Sequence, residues 1–184
     1  MFKPTLSVLA LFICTAPALA NEESLASLGT HQHGLTELFV AIEQNQLEIT
    51  ISSPAYNLLG FEHQPHTPEQ KAKLQQVTQQ LEQADQLIWL PQQAACQRTK
   101  VQLTQPNDHD HDHDHDHDHD HDDQHSDWLV HINYQCAAID KINQLDVKPL
   151  FTAFPLIEKI QMQLISPDIQ TSTRFTAQQT QWKW

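Results

Sequence analysis

Residues 109–122 alternate His and Asp without interruption, and His125 follows closely. Neutral imidazole is a good ligand for zinc, copper and nickel, and carboxylate can complete the shell. In an extended chain, residues two apart point to the same side at roughly 6.5 Å. Neighbouring rings can therefore converge on one ion. The candidate ligands are His109, His111, His113, His115, His117, His119, His121 and His125. At three or four ligands per ion, the run would serve about two ions. Its Asp residues repel one another, keep the segment extended and concentrate cations. They also favour protonated imidazole, so protons compete with metal as pH falls. Ordering such a segment around an ion takes back part of the binding energy. High capacity, moderate affinity and fast exchange are expected, which suits capture and hand-off.

A second group of histidines is not repetitive. His31-Gln32-His33-Gly34 precedes an apolar segment, and Phe61-Glu62-His63-Gln64-Pro65-His66 follows the next one. If the intervening residues form a hairpin, its two ends meet. His31, His33 and His63, with Glu62 or His66, are then candidates for a preorganised metal site. The alternative is that they are ordinary surface histidines near strand ends. Three His and a water could also make a zinc hydrolase, with Glu62 as base. No HExxH supports that reading, and an H-x-H-x-D-H motif fails because Gln124 stands where His is required. The chain is read as a binding protein, not an enzyme. His131 is read as structural.

These residues need a scaffold. Leu35 to Ile42 and Leu47 to Ser52 are β-prone around a polar turn, and Leu47, Ile49 and Ile51 alternate with polar residues. Residues 54–66 read as loop. Thr67, Pro68 and Gln70 make a capping box with Pro at the first helical position. Leu74, Val77, Leu81, Ala84 and Ile88 then form an apolar stripe that packs on a sheet. Gln97 to Leu103 and Trp128 to Cys136 are strands, and pairing Leu103 with Trp128 sets Cys96 about opposite Cys136. A disulfide between them is expected, worth roughly 3–4 kcal/mol. Alternation puts Cys96 on the side of Arg98 and Lys100, so the register calls for a bulge. Residues 105–127 become a long disordered loop at the hairpin tip. A short helix is expected within Leu150 to Ile157, then strands at Lys159 to Ile165 and Thr171 to Ala177. The expected class is α+β: an antiparallel sheet of about six strands, one long helix and one short helix.

Residues 1–20 have the pattern of a cleaved secretory signal: Lys3, an apolar run from Leu6 to Cys14, and Ala18-Leu19-Ala20 before Asn21. The apolar run is too short to span a bilayer. A single metal-binding domain over 21–184 is expected in the periplasm, where a Cys96–Cys136 pair would oxidise. The formal net charge is −13. With two Arg in total, nothing suggests a nucleic-acid surface. Much of the acidity lies in the run from Asp108 to Asp123.

His31-Gln32-His33-Gly34, Ser53-Pro54-Ala55 and Asn57-Leu58-Leu59-Gly60-Phe61-Glu62-His63 resemble the ZrgA family of zinc-regulated periplasmic proteins. The internal His/Asp run and Leu150-Phe151-Thr152-Ala153-Phe154-Pro155 fit the same family. The resemblance implies a role in zinc uptake or homeostasis, linked to an envelope importer of the ABC or another type. It implies zinc over copper; the ligands alone do not, since copper would bind them at least as tightly. It also favours a shared site at His31, His33 and His63. A passive buffer or detoxification protein for zinc, copper or nickel is the alternative.

Overall fold

The computed structural model describes residues 32–105 and 127–184. The leader expected at 1–20, His31, and the His/Asp run from His109 to His125 lie outside the described residues.

Two hairpins build most of the sheet. β1 (Leu35–Glu43) and β2 (Gln46–Pro54) pair antiparallel, the hairpin that two β-prone segments around a polar turn predict. β3 (Cys96–Thr104) and β4 (Asp127–Cys136) form the second hairpin. The connections between them hold a one-turn helix, α1 (Ala55–Leu59), and the long helix α2 (Pro68–Glu82). Beyond β4 come β5 (Gln144–Asp146), α3 (Lys148–Ala153), β6 (Lys159–Ile165), β7 (Gln170–Thr176) and β8 (Gln181–Lys183). The main sheet runs β3-β4-β2-β1-β6-β7, and β5 pairs with β8 in a small second sheet.

The expected α+β class is overturned. The protein is mostly β, with eight strands and three helices among the described residues, and only α2 is longer than six residues. β5 and β8 are three residues each, too short for a period of two to show. α1 was hidden in an expected loop because five residues cannot display a helical stripe. The sheet is not wholly antiparallel either, because β1 lies parallel to β6. That pairing joins strands far apart in sequence, and no local pattern specifies it.

Alternation puts one apolar row on each central strand. Leu38 and Val40, Leu47, Ile49 and Ile51, Trp128, Val130 and Ile132, and Ile160, Met162 and Leu164 are all buried. Val77 and Leu81 of α2 join the same core, as do Ala84 and Ile88. The helix itself stops at Glu82, and Ala84–Gln86 is a 3-10 turn. Thr67 and Gln70 form the expected reciprocal capping box. The other face of the sheet is polar. There Thr50 Oγ1 lies 3.0 Å from His131 Nδ1, and Asn133 donates to Glu48 at 3.0 Å. His131 thus serves a cross-strand contact.

Cys96 and Cys136 are paired in register and joined by a disulfide. The register shifts between Arg98 and Lys100, the bulge the cysteine alternation required, so Leu103 faces Val130 and not Trp128. Tyr134 beside this bulge has a buried hydroxyl with no partner among the described residues. Burial, then the charge of Asp85, pushes its pKa up to about 12, against an opposing pull from Arg98. An unfolded Tyr ionises near 10. Between pH 10 and 12 the unfolded chain therefore binds fewer protons than the native one, and stability falls with rising pH. The urea midpoint should drop between pH 9.5 and 12. Tyr134→Phe should flatten that slope, and an unchanged slope would remove Tyr134 as its source.

Candidate metal centre

The metal-capable side chains gather at one end of the sheet because β1 starts there. Gln32 to Leu35 form a tight turn closed by the Leu35 N–H donating to the Gln32 carbonyl at 3.0 Å. Gly34 in this turn has φ +83, which favours glycine. A Cβ at Gly34 would also meet Glu158 side-chain carbons at 3.0 Å. His33 is presented by this turn. Opposite it, α1 ends at Gly60, whose left-handed conformation (φ 86) lets its N–H cap the Tyr56 carbonyl at 2.8 Å. The chain then turns back as Phe61-Glu62-His63, which brings Glu62 to His33.

His33 Nε2 lies 3.0 Å from Glu62 Oε1, and its ring stacks on Tyr56 with centroids 4.3 Å apart and planes 14° apart. An ionised carboxylate can only accept, so Nε2 carries the proton and Nδ1 of neutral His33 keeps a lone pair. His63 is arranged by the same logic. Its Nδ1 lies 2.8 Å from the Gln64 carbonyl oxygen, which also can only accept. Its Nε2 is then the bare nitrogen, with the Gln70 amide at 3.5 Å. Carboxylate and carbonyl partners of this kind orient metal-binding imidazoles. His63 stacks with both Phe61 and His66, at centroid distances of 5.1 and 5.6 Å. Gln70 Oε1 accepts from the His66 and Thr67 N–H groups, so the cap of α2 also supports this stack. His33 is half exposed, and His63 and His66 are exposed.

The structure therefore brings together two pairs, His33 with Glu62 and His63 with His66. It does not merge them: among the described residues, no group of three or more His, Cys, Asp or Glu is placed to hold one ion. His31, the further candidate, lies outside the described residues. Sequence reasoning missed Tyr56 and Glu158. Neither stands in a recognisable ligand pattern, and each reaches the His33 turn only through the fold.

The position of the second hairpin matters as much. Pro54 at the end of β2 is in register with Asp127, and Thr104 with Leu129. The described residues flanking the His/Asp run, Gln105 and Asp127, thus stand at the same end of the sheet as the His33 turn. At the usual strand spacing, β4 and β3 lie roughly 10 and 15 Å from β1.

The family model described as ZrgA family zinc uptake protein matches residues 30–184. The chain belongs to the ZrgA family. The match takes in the His33 turn, the Glu62–His66 loop and the His/Asp run. The family is described as one of zinc uptake proteins. No curated protein matches the chain. Among the described residues, no helix is long and apolar enough to cross a membrane.

Proposed function

We propose that the protein is exported to the periplasm as a single metal-binding domain after loss of residues 1–20. There it captures zinc and supports its delivery to an envelope importer. The His/Asp run gathers the ion at high capacity. The His33 and His63 pairs, separate among the described residues, close on the ion together, His33 through Nδ1 and His63 through Nε2, joined by His31 or His66, in a smaller and tighter site. Glu62 orients His33. The observation that supports this reading is that the His33 turn and the described residues flanking the His/Asp run, Gln105 and Asp127, stand at one end of the sheet. The run is thus anchored at the end of the sheet that carries the oriented imidazoles. Their exposure suits a cargo that must leave again.

Zinc titration by calorimetry tests this on the mature chain and on a variant lacking residues 108–125. The full chain should take up about two more ions than the variant, and the variant should retain one tighter site. If all binding disappears with the run, the run alone is the receptor and the His33/His63 site is wrong. Equal capacity in both chains would remove the collecting role of the run.

A further inference from the structure

Among the described residues the core holds three buried polar side chains, Thr36, Ser53 and Asn57. All three belong to one network. Asn57 Oδ1 accepts from the Gly34 N–H at 2.7 Å, and its amide donates to the Leu35 carbonyl at 2.8 Å. The same amide reaches Ser53 Oγ at 3.3 Å, and Ser53 Oγ lies 2.8 Å from Thr36 Oγ1. Buried hydrogen bonds add little net stability, and matched apolar side chains often hold a core equally well. Stability alone is therefore a poor reason for polar groups here. What the network adds is direction.

Asn57 grips the backbone on both sides of the Gly34–Leu35 peptide. On the outer side, the Gly34 carbonyl accepts from the N–H groups of Glu158 and Lys159 at 2.8 and 2.9 Å. Gly34 is thus fixed from α1 and from the start of β6 at once. His33 is the residue before it. Tyr56, the neighbour of Asn57 on α1, supplies the face on which the His33 ring lies. One helical turn holds both the backbone that carries the imidazole and the imidazole plane.

We infer that Asn57 is a positioning residue for zinc, acting through Gly34 to preorganise the His33 imidazole without touching the metal. This rests on His33 being a ligand, but the two ideas fail separately. The test uses the full chain and follows the His33 ring and the Gly34 amide by NMR. It compares Asn57→Ala with a control, Thr36→Val combined with Ser53→Ala, which removes the Thr36–Ser53 and Asn57–Ser53 bonds of the same network and spares the contacts of Asn57 to the Gly34 N–H and the Leu35 carbonyl. Without metal, Asn57→Ala should speed Gly34 amide exchange and shift the His33 ring resonances, and the control should do neither. With zinc chloride added, the His33 shift should need about ten- to a hundredfold more zinc in Asn57→Ala, the usual loss when an orienting partner is removed. The His/Asp run should titrate as before.

A folded Asn57→Ala protein with an unmoved His33 ring and wild-type zinc response would overturn the inference. So would a control that loses as much. If the parent His33 does not respond to zinc, the ligand reading fails, and the metal-free comparison still decides positioning. Should Asn57→Ala not fold, Asn57→Ser takes its place with the same expected results.

Discussion

His33→Ala, made in the chain lacking residues 108–125, should weaken zinc binding at the remaining site on the order of a hundredfold. The estimate sits at or beyond the top of the range for losing an orienting partner, because a ligand would be lost outright. His63→Ala should do comparable damage. Glu62→Gln should do less: it keeps an acceptor for the His33 Nε2–H but gives up the charge, and about tenfold is expected. The ordering carries the argument. If Glu62→Gln costs as much as His33→Ala, Glu62 is itself a ligand and not an orienting group. If His33→Ala changes nothing, the Glu62 and Tyr56 contacts of His33 hold the loop and not a metal. None of these changes should shift the urea midpoint by much, since His33 and His63 are half exposed or exposed and Glu62→Gln keeps the size of a side chain that is only partly buried.

The parts of the molecule legible in the sequence are those written by local period or local chemistry. β2, β4 and β6 show strict alternation, and each forms where it is expected. The α2 cap follows from Thr67, Pro68 and Gln70 in four residues. The cysteine pairing and its bulge follow from parity along two strands. What stayed hidden depends on contacts distant in sequence or on elements too short to carry a period. The parallel β1–β6 pair fixes Glu158 beside Gly34, and nothing near either residue announces it. Asn57 stood out in sequence only within the family segment. Its burial beneath the His33 turn shows why the spacing of that segment matters. Asn57 faces the core, Gly60 ends the helix, and Glu62 returns to the imidazole. That His33 lies near the segment from Glu62 to His66 was legible from the expected hairpin; that its partner there is Glu62 was not. The separation of His63 and His66 into a stacked pair was not, because it rests on Phe61, Gln64 and Gln70.

Removing the disulfide by Cys96→Ala with Cys136→Ala should lower stability by about 4 kcal/mol, the largest stability change of any variant considered. The bond spans a sequence separation of 40, and closing a loop of that size restrains the unfolded chain by about that much on the chain-entropy model. Against a typical total of about 5–15 kcal/mol, the loss leaves the fold marginal at 37 °C. The dependence on loop length is logarithmic. Deleting residues 108–125 should therefore reduce the disulfide's contribution by only about 0.5 kcal/mol, and the bond matters nearly as much without the run. It also lies at the far end of β4 from the metal-capable side chains, roughly 30 Å along the strand from Asp127. At low temperature, where the double variant is still folded, its zinc affinity should match that of the parent. A urea titration and a zinc titration on the same sample separate the two effects. A stability loss under about 1 kcal/mol would mean that the unfolded chain already keeps the β3–β4 ends together. A matching loss of zinc affinity would mean that the two ends of the sheet are coupled, and that the metal centre is not the local construction its hydrogen bonds describe.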